Sequence, residues 1–489
     1  MDPNEVITVD SNISEILERE YKIDASIPHY SPITEFFAGK VVFLTGPTGF
    51  LGQLFLEKLL RIGAKRVYVL MRSKRNRPSR ERLDQVCKGP VFRHLSKHDP
   101  NFRNRIEIVA GDLNKPKLGI KDEIVLKELC ENIEIVIHAA ADVRFNEPLY
   151  DLILCNLKGT RDLLNLSKQM TNLKVFVYLS TAFSNTKYQS DEYIAEKFYD
   201  PPMNADILID YVEKRQSETD RELMKIISPN LIWPWPNNYT FSKALSESIV
   251  RRYGNDFPIA VIRPTIVIST YIDPIPAWTN SYGGMNGVTA GIGSGLLRNL
   301  FWKNIELNIV CADFVTNGSL AIAWYTAIEY KRTIFEPKIY HINRASDKAL
   351  FFDETVDFLV IPSIIMDCFI SSPKHKLMPL ARKIMAMAEV IKFFNHNNFI
   401  FANKHLMNII ERMTEYDRQY FICDPRVVNW KKYYIVYVLG ARIYLLRDSF
   451  DNYKPACKRM KRLKVIHYTV PSMKTICVLE MLRDDSFWL

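Results

Sequence analysis

Residues 41–65, VVFLTGPTGFLGQLFLEKLLRIGAK, compress a strand, a glycine turn and an amphipathic helix into one unit, and the rest of the chain has to be laid out around it. Val41 to Leu44 form the β-branched, wholly apolar run expected of a strand covered on both faces. Gly46, Gly49 and Gly52 then let the backbone turn sharply, approach a pyrophosphate and pack the next helix onto the strand. The first N–H groups of that helix face the anion. With Thr45, Thr48, Phe50 and Leu51 beside them, these glycines are the candidate cofactor cradle. Leu54, Phe55, Leu59 and Leu60 recur at helical spacing, and Gly63 ends the helix before a second strand, Arg66 to Met71. The spacing is TGxxGxxG, not GxGxxG, so the strand–turn–helix context carries more weight than the glycines alone. A glycine-rich turn in an unrelated α/β protein is the bland alternative.

The second strand ends where a dinucleotide site often carries an acidic residue for the ribose 2′-hydroxyl; here it carries Arg72. An arginine at that edge accommodates a 2′-phosphate, with Lys74 and Arg75 adding positive field, which points to NADP in preference to NAD. A basic solvated loop is the competing reading. Further strands are expected at Ile106–Ala110, within IEIVIHAAADVRF from Ile133, and at Lys174–Leu179. Their C-terminal ends carry Gly111, Asp112 and Leu113, then the small residues Ala139 to Ala141, then Ser180 and Thr181. Cofactor contacts belong at such ends, so Asp112, Leu113, Ala139 and Ala140 are candidates. Residues 183–235 lose the pattern and read as an insertion with a long charged helix around Asp210 to Ile226. The pattern resumes with a helix near Tyr239 and with IAVIRPTIVIS as a sixth strand. An irregular Gly- and Pro-rich loop, 271–298, comes next, then a strand-to-helix passage from Val310 and a closing strand at KIYHINRAS. From Leu350 onward glycine almost disappears and aromatic, Met and Lys-rich helical segments dominate, which places a boundary at 345–350.

At 489 residues the chain exceeds one core and divides into at least two domains, 1–345 and 346–489. A net charge of +10 suits nucleic acid, an anionic membrane surface or a polyanionic ligand, and no nucleic-acid-reading motif is present. The eight cysteines are scattered without metal-ligand spacing, as expected of free thiols in a reducing compartment without structural zinc. The first residues, MDPNEVITVDSNISEILEREY, are acidic where a signal peptide is basic, and read as a short helical arm of a protein that is not secreted. The apolar stretches Phe358–Ile370 and Tyr433–Leu446 are too short and interrupted for a conventional spanning helix.

Tyr239 and Lys243 are four apart on a helix, so their side chains leave the same face. An ammonium there favours the phenolate and pulls the tyrosine down toward working pH, so the phenol can give and take a proton at a carbonyl oxygen. Thr181, with Ser180 beside it, ends a neighbouring strand and can donate a second hydrogen bond to that oxygen. A second YxxxK stands at Tyr193 and Lys197, but it runs into a double proline, whereas YTFSKALSESIV continues as a long helix before a strand. A buried aromatic with no catalytic part is the alternative for Tyr239.

TGPTGFLG, STAFSN, NNYTFSKALSE and RPTIV together resemble the extended short-chain dehydrogenase/reductase superfamily. HAAADVRF, NLKGT, YIDPIPAWTNSYGGMNG, VCADFVTN and DRQYFICDPRVVNWKKYYIVYVLGARIYLLRD narrow the resemblance to the animal fatty acyl-CoA reductases, over about residues 35–448. Ala277 stands where that family's loop usually has glycine, and Phe399 where its C-terminal domain usually has tryptophan. The resemblance implies an α/β fold, a doubly wound Rossmann-type parallel sheet followed by a smaller, mainly helical C-terminal domain. It also implies reduction of a long-chain fatty acyl-CoA to a primary alcohol with two NADPH, Thr181 and Tyr239 stabilising the oxyanion and Lys243 holding the nicotinamide ribose. The C-terminal half would accept the acyl chain and rest on a membrane, inside the cell at the endoplasmic reticulum or peroxisome. Lys454, Lys458, Arg459, Lys461, Arg462 and Lys464 suit such a surface, or a plain solvated face. Two other readings stay open. A nucleotide-sugar epimerase or dehydratase of the same superfamily has no use for the C-terminal half. A non-catalytic NADPH or acyl-CoA sensor has no use for Tyr239, Lys243 and Thr181.

Overall fold

A computed structural model describes residues 23–73, 77–187, 192–294, 307–330, 336–344, 393–394 and 396–448. Seven strands form one parallel sheet: β1 (Val41–Thr45), β2 (Arg66–Met71), β3 (Ile106–Ala110), β4 (Ile135–His138), β5 (Val175–Leu179), β7 (Ile259–Pro264) and β10 (Lys338–Ile342). Their order across the sheet is β10-β7-β5-β4-β1-β2-β3, so the chain reverses direction between β1 and β4. Side chains alternate across a strand, and the core divides accordingly. Val42, Leu44, Ile135, Ile137, Val175 and Val177 belong to one apolar cluster, Phe43, Val136, Phe176 and Tyr178 to the other.

Helix α1 (Phe50–Arg61) covers the first face together with α9 (Ala312–Glu329). The second face is covered by α3 (Glu123–Asn132), α4 (149–167), α5 (Ala205–Lys214) and α7 (Asn238–Arg252). Helix α4 is continuous but carries a π-helical turn, Ile153–Lys158, within it. Two C-terminal helices join the first face: Leu406, Ile409 and Ile410 of α10 (Lys404–Arg412) and Tyr433 and Tyr437 of α11 (Trp430–Gly440) are buried in the same cluster as α1 and α9. Lys58 on α1 donates to the Asp273 carboxylate at 2.8 Å and to the Tyr420 carbonyl, which ties that C-terminal stretch to the glycine-turn helix.

Three expectations change. The charged helix expected over Asp210–Ile226 is two helices, α5 and α6 (Glu218–Ile232), because Ser217 and Asp220 form a reciprocal capping box that starts a new helix. IAVIRPTIVIS is two strands, because the Thr265 N–H still reaches Ile342 of β10 but the Ile266 N–H turns to the Asn308 carbonyl; β8 (Ile266–Ile268) leaves the main sheet and pairs with β9 (Ile309–Cys311). The loop after it is not irregular throughout, because Met285–Ser294 forms helix α8. The expected N-terminal arm, residues 345–392 with the expected domain boundary, and the basic cluster at Lys454–Lys464 lie outside the described residues. So do Lys74 and Arg75.

Candidate active site

The glycine turn sits at the point where the sheet's strand order reverses, which is where open α/β sheets bind ligands. Gly46 has φ +74°, and a Cβ there would lie 2.9 Å from the backbone of Ala140, so only glycine lets the ends of β1 and β4 approach this closely. A Cβ on Gly52 would fall 1.9 Å from the Gly46 carbonyl; this glycine packs the first turn of α1 under the loop. Gly49 is the N-cap of α1 and makes no side-chain cap, leaving the helix's leading N–H groups to an anion. The cleft in front is lined by Gly46, Thr48 and Gly49, by Arg72, by Asp112 and Leu113, and by Ala139 to Asp142. Four other candidates lie behind this wall. Thr45 is buried, Gly52 closes the turn, and Phe50 and Leu51 pack toward the core, Phe50 with its ring 5.4 Å from Trp278.

Arg72 is half exposed and pairs with Asp112 at 3.1 Å. A second guanidinium, Arg82 on α2 (Ser79–Cys87), donates to the Arg72 carbonyl at 2.5 Å and to Thr48 Oγ1 at 3.3 Å. Burial, and then the charge of Arg72, hold Arg82 below its ordinary pKa. Two cations beside a single carboxylate fit a phosphate placed between them, so the residues present suit NADPH. Arg82 escaped the sequence reading. Its only signal is a basic residue on the helix that follows the second strand.

Joined to the Asp142 wall of the cleft through Asn156 and Ser242 stands α7, whose N-cap Asn237 accepts the Thr240 N–H at 2.9 Å. Tyr239 and Lys243 are both buried, and Thr181 and Ser180 are buried opposite them at the end of β5. The expected effect of Lys243 on Tyr239 is not the one observed. Burial raises the Tyr239 phenol well above its ordinary value, opposed by a hydrogen bond with Thr181. Lys243 instead donates to the Leu179 carbonyl at 2.7 Å and to the Tyr178 hydroxyl at 3.3 Å. Burial lowers Lys243 itself to about 8. Desolvation disfavours both charged forms, so the free site holds a neutral phenol ready to donate. The Ser180 hydroxyl turns away, donating to the Glu247 carboxylate.

Glu247 belongs to a network that sequence reading missed. It accepts from Ser184 at 3.0 Å, from Asn185 at 3.3 Å and from the Nε–Nη2 edge of the buried Arg263 guanidinium. Thus α7 is locked to β5 and β7. His138, at the end of β4, is held neutral, its pKa lowered to about 3 by burial and by the Lys243 charge. Thr160 donates to the Asn156 carbonyl, which leaves it to accept from His138 Nε2–H; Nδ1 then accepts from Thr45, and Thr45 accepts the Ala140 N–H. This directional chain fixes the strand ends on both sides of the cleft. Asn156, on the π-turn of α4, exchanges two hydrogen bonds with Asp142 at 2.9 Å each and donates to Ser242, one residue before Lys243.

The second YxxxK lies elsewhere. Tyr193 is on β6 (Glu192–Ile194), 57% exposed, and β6 pairs with β11 (Phe399–Phe401) outside the main sheet. On the first face, Asp313 of α9 accepts the backbone N–H groups of Tyr271, Ile272 and Asp273 and so shapes the loop after β8. Ala277 in this loop has φ +54° and is covered by Gly440 of α11, where an added Cβ would lie 2.2 Å from the Ala277 carbonyl.

Comparison with known proteins follows the same geometry. The NAD-binding model described as male sterility protein matches residues 44–319, and a second model of that description matches 358–448. The chain is 32% identical to fatty acyl-CoA reductase wat of Drosophila melanogaster, over 93% of each chain. It is 30% identical to fatty acyl-CoA reductase 1 of Homo sapiens, covering 91% of this chain and 92% of that one. Among solved structures, the terminal R domain of the myxalamid biosynthetic pathway superposes with a TM-score of 0.52 at 17% identity, covering 83% of this chain and 91% of that domain. The reductase domain of a non-ribosomal peptide synthetase from Mycobacterium tuberculosis gives 0.52 at 18%, covering 89% and 96%. These two likenesses establish the fold.

Proposed function

The chain belongs to the fatty acyl-CoA reductase family, and from that membership and the site geometry we infer that it reduces a fatty acyl-CoA to a primary alcohol, using NADPH and releasing CoA. The observation that carries this reading is the placement of buried Tyr239 and Lys243, one turn apart on α7, with buried Thr181 at the end of β5, beside strand ends that form a cradle suited to a dinucleotide. NADPH, when bound, supplies the hydride in each of two reductions. Tyr239 and Thr181 hydrogen-bond the thioester oxygen and stabilise the charge that develops there as the carbonyl is reduced. Tyr239 then gives its proton to that oxygen. The hemithioacetal so formed breaks its C–S bond, CoA leaves as the thiol, and the aldehyde meets the same two hydroxyls for the second reduction. Lys243, bonded to the Leu179 carbonyl and the Tyr178 hydroxyl, keeps a positive charge one helical turn from the phenolate left behind. Arg72 and Arg82 hold the 2′-phosphate, and the cradle of Gly46, Gly49 and Gly52 the pyrophosphate.

In this reading residues 1–345 form the reductase unit, and 346–489 a mainly helical unit that serves the acyl chain and rests on an intracellular membrane surface, at the endoplasmic reticulum or peroxisome. The acyl substrate and the basic cluster at Lys454–Lys464 support that placement. Among the described residues no helix is long and apolar enough to cross a membrane.

The test is a paired measurement of NADPH oxidation and thiol release with a series of acyl-CoAs. Two NADPH consumed per CoA released, with alcohol as product, is expected. NADPH oxidation without thiol release overturns the reading. Subcellular fractionation of the full chain tests the membrane placement, which fails if the protein stays in the supernatant.

A further inference from the structure

The cofactor cleft is lined by glycines, carboxylates and arginines. Tyr239 meets a different chemistry, a row of phenyl rings. Phe145, on the loop after β4, stacks on the Tyr239 ring with centroids 5.7 Å apart and planes at 23°. Phe394, from the C-terminal half of the chain, packs on Phe145 at 5.3 Å and edge-on to Phe183 at 5.0 Å. Phe183 donates its backbone N–H to Thr181 Oγ1, so this ring is tied to the second hydroxyl of the site. The row ends on Phe401 and Phe399, which face inward from β11. Phe183, Phe399 and Phe401 are buried, whereas Phe145 and Phe394, the two rings nearest Tyr239, are only half buried.

A carbonyl whose oxygen rests on Tyr239 and Thr181 and whose face is turned to the cofactor cleft has two substituents to place. The half-open phenyl faces offer no hydrogen-bonding group, so they favour the substituent that loses nothing on leaving water, the hydrocarbon chain, over the amide-bearing arm of CoA. Resting on the reductase reading above, we propose that Phe145 and Phe394 form the wall against which the acyl chain leaves the reacting carbonyl, and that they set the preference for a long chain. The inference assigns the C-terminal half a part in the site itself: Phe394 reaches across the sequence to a residue that stacks on the acid. The selectivity is apolar and cumulative, because each methylene laid on the wall adds its own share of burial.

The experiment measures kcat/KM of the full chain with hexadecanoyl-CoA and with butanoyl-CoA, for the natural protein, Phe145→Ala, Phe394→Ala and Phe394→Leu. Removing either ring is expected to lower the long-to-short selectivity ratio by about tenfold, the worth of one or two methylene contacts. NADPH binding, read by its fluorescence, should not change, and Phe394→Leu should restore most of the ratio by restoring apolar surface. Calorimetric binding of the two acyl-CoAs to the same proteins reads the same ratio without turnover. Equal losses for both acyl-CoAs, or an unchanged ratio in both kinetics and binding, overturns the wall. Absence of acyl-CoA turnover in the natural protein with a ratio that still falls in binding overturns the reductase reading and keeps the wall.

Discussion

The Glu247 carboxylate accepts from Nε and Nη2 of Arg263 at 2.9 and 2.5 Å, in a place where neither side chain exceeds 3% exposure. The two residues come from α7 and β7, and the pair holds the helix bearing Tyr239 against the sheet. Glu247→Gln leaves the guanidinium buried with half its compensation and should cost about 3 kcal/mol, as broken buried pairs do. Urea denaturation is the measurement, and a change within about 0.5 kcal/mol, as for a typical surface substitution, contradicts it.

Tyr239→Phe removes one hydroxyl and keeps the ring's stack on Phe145. Turnover should fall on the order of 10² to 10⁴, the usual contribution of a positioned acid, with NADPH binding retained. Tyr193→Phe, on the exposed face of β6, should leave turnover unchanged. An inactive Tyr193→Phe beside a normal Tyr239→Phe moves the chemistry from α7 to β6 and overturns the assignment.

Arg72→Ala and Arg82→Ala should each raise KM for NADPH by about tenfold, the worth of one charge-assisted hydrogen bond, and leave KM for NADH nearly untouched. The double variant should lose the discrimination between the cofactors. If either variant weakens both cofactors equally, that arginine contacts something other than the 2′-phosphate.

Two buried histidines predict an acid limb in stability. Burial and then Lys243 lower His138 to about 3, and burial and then Arg263 lower His341 likewise to about 3. Between that pH and about 6.5, the unfolded chain binds protons that the fold refuses, so stability rises with pH through the window and levels off above it. Each histidine contributes a slope of up to about 1.4 kcal/mol per pH unit. His138→Asn should flatten the dependence when unfolding is followed from pH 7 downward, and an unaltered slope removes His138 from the account.

Gly440→Ala drives a methyl into the Ala277 carbonyl and should destabilise the packing of α11 by about 1–3 kcal/mol, as overpacking does. Ala277→Gly relieves a left-handed residue and should stabilise by about 1 kcal/mol. Thermal unfolding of both variants checks the pair, and opposite signs are required.

The cradle was legible because its parts are local. The strand, three glycines and helix of 41–65 lie within one stretch, and the i, i+4 spacing of Tyr239 and Lys243 is set by the helix itself. The resemblance to fatty acyl-CoA reductases rested on motifs of the same kind, and the family matches bear it out. Contacts between distant residues were not legible. Arg82 meets Arg72 because α2 folds back over the end of β2, and His138 meets Thr45 and Thr160 because β4 is laid beside β1. Phe394 reaches Phe145 from 249 positions away in the sequence. Nor could spacing say which way Lys243 points: the same helix face serves a bond to Tyr239 or to the Leu179 carbonyl, and the end of β5 laid beside α7 takes the bond. Local backbone geometry and hydrophobic periodicity are encoded residue by residue, so the sequence alone determined the nucleotide-binding turn, the alternation of strands and helices and the candidate acid. Dielectric environment, hydrogen-bond direction and the aromatic side of Tyr239 depend on groups brought together only when the sheet closes, and the tertiary structure decided them.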